Sequence, residues 1–255
     1  MTNAQTELLI ERRGAVVVVT LNRPEARNAI SSTVMHGLAD AVEEAERDDG
    51  IRVLVVTGAG DRAFCAGVDL RAFADGESGH PPEAFMRLLS GEATVPVVAA
   101  VNGFAVGAGC EIAFGSDIVV ASSDASFGLP EVKRGLFPGS GVMHVAKRLP
   151  LGVALELALT GERIDAARAQ QLGFVNEVVA PADVLVSALA VAERIAANAP
   201  LALAAIKELV RKAAYGAPDA AQRLEELQLL VFTSEDAREG AMAFLEKRDP
   251  VWKGR

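Results

Sequence analysis

The sequence predicts an α/β fold: a largely parallel sheet with crossover helices, followed by a helical C-terminal part. Three observations carry this. Short apolar runs of strand length recur through the first half of the 255 residues. Stretches with apolar residues at helical spacing separate them, and strands that alternate with helices assemble into parallel sheets. Beyond residue 150 the pattern becomes almost wholly helical.

Taken in order, residues 8–10 and 15–21 are apolar runs separated by Glu11-Arg12-Arg13-Gly14, the pattern of a β-hairpin. Ser32 is placed to cap a helix in which Met35, Leu38, Val42 and Ala45 repeat at helical spacing while Glu43, Glu44 and Asp48 face water. Residues 53–57, 97–101 and 118–121 read as buried strands. The segment from Asp75 to Pro82 is the most loop-like. Residues 151–159 form an apolar helix between Pro150 and Gly161, and Asp165 caps a helix that Gly173 ends. Pro200 suits a first helical position, with Leu203, Ile206 and Val210 on one face; Leu224, Leu227 and Val231 form another stripe, and Ser234 begins a last helix carrying Met242 and Leu245. The expected organisation is a β/α core over residues 1–195 that carries the active site. A helical region over residues 196–255 belongs to the same functional unit.

Half of the chain is apolar and 23% is charged, enough for a sizeable core. The apolar run that ends at Leu21 falls far short of the ~20 residues that span a bilayer, and the N-terminus lacks the basic and apolar regions of a secretory signal. Cys65 and Cys110 are the only cysteines and have no metal-type spacing, so a reducing, cytoplasmic setting is expected. A net charge of −9, one Trp, one Tyr and no long Lys/Arg run argue against nucleic acid as a partner. A local cationic pocket for an anionic small molecule needs only two or three residues and stays open.

The chemistry narrows by elimination. No phosphate-binding Gly-x4-Gly-Lys-Ser/Thr loop occurs, and His36, His80 and His144 form no metal pattern. Ser140 and His144 invite a nucleophile reading, but nothing supplies the orienting acid that a triad requires. Two glycine-containing segments say more: Phe64 to Leu70, after the strand that ends at Thr57, and Asn102 to Glu111, after the strand that ends at Val101. Each leaves a strand through small residues and turns toward a helix. Such exits serve as tight turns, or they bare backbone N–H groups at a helix start, where two converging donors would hold a developing oxyanion. Glu111 follows the second segment in an apolar stretch, and Glu131 follows Phe127-Gly128-Leu129-Pro130. Taken singly, either is an ordinary structural glutamate. As a pair in weakly polar surroundings they suit acid–base work, because partial burial raises carboxyl pKa values.

These residues resemble the crotonase (enoyl-CoA hydratase/isomerase) superfamily along essentially the whole chain. Leu21-Asn22-Arg23-Pro24-Glu25-Ala26-Arg27-Asn28-Ala29 resembles its opening motif and Phe64-Cys65-Ala66-Gly67-Val68-Asp69-Leu70 its first oxyanion loop. Asn102 to Glu111 resembles the second, and Ser126 to Gly141 the second catalytic segment. Gly173-Phe174-Val175-Asn176 and Glu246-Lys247-Arg248 also fit. The resemblance implies a ββα-repeat spiral core with a helical C-terminal trimerisation region, and a homotrimer or dimer of trimers.

By the same resemblance the N–H groups of Ala66 and Ala108 form the oxyanion hole, Glu111 and Glu131 are catalytic, and the Gly139 N–H positions water. Ala66, Gly67, Val68, Asp69, Arg27 and Lys247 are expected to contact the acyl-CoA, with Arg23 a weaker candidate. No metal is implied, and no cofactor beyond coenzyme A as part of the substrate. The implied reaction is hydration of a trans-2-enoyl-CoA to a 3-hydroxyacyl-CoA; the alternatives are a double-bond isomerase, another acyl-CoA lyase, or a non-catalytic acyl-CoA-binding homologue. Two departures stand out: relatives often have Gly where this chain has Ala108, and Gly141-Val142-Met143-His144 replaces the Gly-Gly-Thr-Gln common in hydratases.

Overall fold

The computed structural model describes residues 6–71, 80–139 and 141–255; most of the loop expected at 75–82 lies outside them. Strands β1 (Leu8–Arg13) and β2 (Val16–Leu21) form the hairpin, with Leu8 opposite Leu21 and Arg13 opposite Val16. A parallel sheet continues from β2 through β3 (Val53–Gly58), β5 (Val97–Val101), β7 (Ile118–Ser122) and β10 (Glu177–Val179). A second, four-stranded sheet pairs β4 (Ala63–Cys65), β6 (Phe104–Val106), β8 (Ser126–Gly128) and β9 (Arg163–Asp165), the last antiparallel.

Each strand of the first sheet that leads into the interior is followed at once by a strand of the second: β3 by β4, β5 by β6, β7 by β8. The chain thus winds as a ββα spiral, and the short strands deliver the expected donor loops to one end. Helix α1 (Ser32–Arg47) is capped by Ser31, whose hydroxyl accepts the Val34 N–H, one residue earlier than the sequence reading placed the cap. Helices α2 (Glu83–Ser90) and α3 (Ala108–Gly115) follow β4 and β6. Helices α4 (Gly141–Arg148), α5 (Leu151–Thr160), α6 (Ala166–Gln171) and α7 (Val184–Ala196) come next. Asp165 caps α6 as expected, accepting from the Arg168 N–H at 2.7 Å.

Both faces of the parallel sheet are covered, which explains why its strands read as unbroken apolar runs. One face, with Val17, Val19, Leu54, Val56 and Ala99, packs on α1, α2 and α3. The other, with Val16, Val18, Val53, Val55 and Val98, packs on Ala188, Ala192 and Ala196 of α7. Those small residues recur every fourth position and let the helix lie close to the sheet.

The C-terminal helices α8 (Pro200–Ala214), α9 (Ala220–Phe232) and α10 (Glu235–Glu246) differ. Their apolar faces stay largely open: Ile206 and Val210 are 60% and 61% exposed and Phe244 is 83% exposed. Ala205, Leu227 and Ala243 are the apolar residues of these helices that do bury. Helix α8 is held to the core by charge instead. Asp117, at the entrance to β7, accepts from Lys207 Nζ and from Arg211, both at 2.8 Å, and also from the Val97 N–H. Among the described residues no single helix is long and apolar enough to cross a membrane.

Candidate active site

Three loops meet at the end of the small sheet. The first leaves β4 at Cys65 and carries Ala66, Gly67 and Val68. The second leaves β6 through Gly107, which sits at φ 56°, ψ −131°, a conformation that favours glycine. A Cβ at Gly107 would lie 3.1 Å from Glu131 Oε1, so the bare position also admits the carboxylate of the third segment. That segment is a 3₁₀ turn, Pro130–Arg134, which carries Glu131 and leads to Gly139. Together the loops enclose a cavity of about 250 Å³ lined by Ala66, Gly67, Val68, Ala108, Glu111, Glu131 and Gly139. The residues singled out from sequence for chemistry are therefore brought together.

Glu111 lies in the first turn of α3, a helix buried along its whole length, and is itself 6% exposed. A Cβ at Gly139 would stand 3.9 Å from Glu111 Oε1, which places Gly139 beside this carboxylate. Glu131 is half-buried, and its Oε2 is enclosed without a hydrogen-bond partner. Burial pushes its pKa above the ordinary glutamate value, against the pull of its own backbone N–H and of the Arg134 guanidinium. One carboxyl of the pair is thus biased toward its protonated form.

The two donor N–H groups differ. Ala108 is the first residue of α3, and its N–H has no acceptor among the described residues. Its φ is not left-handed, so alanine is accommodated where relatives often have glycine. The Ala66 N–H donates to the Arg27 carbonyl at 3.1 Å. Both residues line the cavity.

Other expected contacts fall elsewhere. The Asp69 carboxylate accepts from Arg23 at 3.1 Å, and Arg23 also pairs with Glu7 at 3.1 Å, so both anchor the loop from behind. Lys247 caps α10 at φ 55°, exposed, and lines neither the cavity nor its surroundings within one chain. Arg27 lines a larger adjoining groove, about 890 Å³, together with Arg62, Lys133, Arg134 and Arg163. Four of these five cations were not singled out from sequence. They lie on three separate segments, and only Lys133 and Arg134, two and three residues after Glu131, fall within a motif quoted above. His144 is buried on α4, where burial lowers its pKa with help from Lys147. It does not line the cavity, and Ser140 lies outside the described residues.

A match to the enoyl-CoA hydratase/isomerase family runs over residues 11–255. The chain belongs to that family. It is 40% identical to the carnitinyl-CoA dehydratase of Proteus mirabilis (strain HI4320) over 261 residues, 97% of this chain and 98% of the relative. The structure of an enoyl-CoA hydratase from Mycobacterium tuberculosis H37Rv superposes with a TM-score of 0.91 at 41% identity, covering 98% and 100% of the two chains. A carnitinyl-CoA hydratase from Mycobacterium avium superposes with a TM-score of 0.76 at 45% identity, covering 99% and 100%. The spiral core is accordingly a crotonase fold, and the protein is an enzyme of the hydratase/dehydratase (lyase) kind that acts on acyl-CoA compounds.

Proposed function

We propose that the enzyme adds water across the double bond of a trans-2-enoyl-CoA to give a 3-hydroxyacyl-CoA, and catalyses the reverse. The observation that carries this reading is the convergence of Glu111 and Glu131 on one small cavity bordered by the Ala66 and Ala108 N–H groups. As water attacks the β-carbon, negative charge moves onto the thioester oxygen, where the two amides stabilise it; one such donor is typically worth ~10²–10³ in rate. Glu111, beside Gly139, takes the proton of the attacking water. Glu131, whose pKa burial raises, delivers a proton to the α-carbon, each transfer contributing roughly 10²–10⁴. A double-bond isomerase needs only one carboxylate, so the pair favours hydration.

The cationic groove beside the cavity suits the phosphates of coenzyme A, with Arg27 as the one cation there expected from sequence. The exposed apolar residues of α9 and α10, Leu229, Phe232, Phe244 and Leu245 among them, support assembly into a trimer or a dimer of trimers. In such an assembly Lys247 would approach the substrate of a neighbouring copy.

The test is the loss of conjugated enoyl-thioester absorbance when a short trans-2-enoyl-CoA is added; no decay with the wild type overturns the proposal. Because relatives carry the name carnitinyl-CoA dehydratase, the acyl panel should include the 4-trimethylammonio acyl group beside neutral chains of increasing length. The order of kcat/KM then identifies the acyl class.

A further inference from the structure

We infer that Asn28 is a positioning residue for the oxyanion donor on Ala66, and that the Arg27 carbonyl it fixes is a resident competitor for that donor. A neutral thioester oxygen displaces this competitor poorly and an enolate oxygen displaces it well. The inference rests on the hydratase reading above and says how its oxyanion hole discriminates.

Arg27 and Asn28 both adopt left-handed backbone, φ 56° at each. Asparagine tolerates this region better than most residues, whereas consecutive non-glycine residues rarely share it. Surrounding structure must therefore impose it. The Asn28 side chain is 1% exposed and uses both of its ends. Oδ1 accepts the Arg23 N–H at 3.0 Å, while Nδ2 donates to the Ala59 carbonyl at 2.9 Å and the Ala63 carbonyl at 2.8 Å. Gly58 leaves room for it, since a Cβ there would lie 2.7 Å from Nδ2. One amide thus joins the 23–28 strap to the start of β4, three residues before Ala66.

The strap then aims the Arg27 carbonyl at the Ala66 N–H, 3.1 Å away, while the Ile30 N–H donates to the Gly67 carbonyl at 2.8 Å. In the free enzyme this donor is satisfied by a neutral carbonyl. A substrate thioester offers another neutral acceptor, so exchanging one for the other gains little. When charge develops on the thioester oxygen the new hydrogen bond becomes charge-assisted, roughly twice as strong as its neutral counterpart, and the competitor loses. Binding that strengthens only on the way to the transition state raises turnover rather than ground-state affinity.

The experiment compares the wild type with Asn28→Asp, which keeps the Oδ1 acceptor but loses both donations, and with Asn28→Ala. Three readouts are taken: kcat and KM with an enoyl-CoA, the infrared carbonyl stretch of bound butyryl-CoA, and the affinity ratio of acetoacetyl-CoA, which ionises to an enolate, over butyryl-CoA. The expected result is a kcat about 10–100-fold lower with KM within about threefold, a carbonyl stretch moved away from its wild-type value, and an affinity ratio about tenfold smaller. Asn176→Ala, which removes the acceptor for the Val119 N–H far from the cavity, should lower Tm without moving the ratio or the stretch. Folded Asn28 variants with wild-type kcat and ratio would overturn the inference. Should both variants fail to fold, amide exchange at Ala66 in the wild type decides: it must slow more with acetoacetyl-CoA than with butyryl-CoA, and equal slowing sinks the idea. A wild type that binds both ligands but hydrates nothing defeats the hydratase reading alone, and the affinity ratio still judges the donor.

Discussion

Glu111 and Glu131 present the same functional group to one cavity from unlike supports. Glu111 projects from the first turn of a helix with all eight residues buried, and sits beside Gly139. Glu131 stands on a 3₁₀ turn between Pro130 and Arg134, half-buried, with one oxygen enclosed and unpartnered. The difference teaches that burial and neighbours can bias the protonation of one carboxyl of a pair, here by raising the Glu131 pKa. Burial pushes the Glu131 pKa up, and the nearby Arg134 guanidinium pulls the other way without cancelling the shift.

The comparison can be broken most directly by replacing each carboxylate. Glu111→Gln and Glu131→Gln are each expected to lower kcat by at least ~10³ while acyl-CoA still binds, read by steady-state kinetics beside calorimetry. Near-normal turnover in either variant would remove that residue from the acid–base pair. Gly107→Ala comes next. A side chain there must adopt a glycine-favoured conformation and meets Glu131 Oε1 at 3.1 Å, so kcat should fall about 10–100-fold with a smaller loss at an alternative such as Gly152→Ala, where a Cβ meets nothing.

Arg134→Leu sharpens the comparison through pH. Glu131 must be protonated to act as the acid, so turnover declines as pH rises through its pKa. Removing the adjacent cation favours the neutral carboxyl further, and the alkaline limb of kcat should move to higher pH; a limb that stays put or moves down contradicts the assignment. Lys207→Met, far from both glutamates, is expected to leave that limb unmoved. It deprives Asp117 of one of its two cations, with Arg211 remaining, and should cost about 1–3 kcal/mol of stability by denaturant titration.

Much of this arrangement was legible in the sequence. The parallel strands announce themselves as apolar runs because both sheet faces are covered. The glycine-marked exits at Ala66 and Ala108 could be located because backbone donors leave a trace in the small residues around them. The second sheet was not visible: β4, β6, β8 and β9 have three residues each, too few for alternation to register. The stripes on α8 and α9 were legible only as apolar faces, because periodicity does not report what covers them. The pairing of Asp69 with Arg23, forty-six positions earlier, left no local trace in the sequence. The groove cations are scattered for the same reason, since a pocket assembled from three segments has no linear signature.

The two thiols lead somewhere else. Cys65 ends the strand beneath the first loop and Cys110 precedes Glu111 on α3, and neither has any surface exposed. Burial pushes the Cys65 thiol up to about 12 and the Cys110 thiol well above its usual value. An alkylating reagent attacks only the thiolate, so neither sulfur should react until the packing around it opens. The native enzyme therefore carries a pair of built-in clocks, one under each loop. Their labelling rates would report separately how often each side of the cavity breathes, and whether a bound acyl-CoA closes both sides together or one before the other.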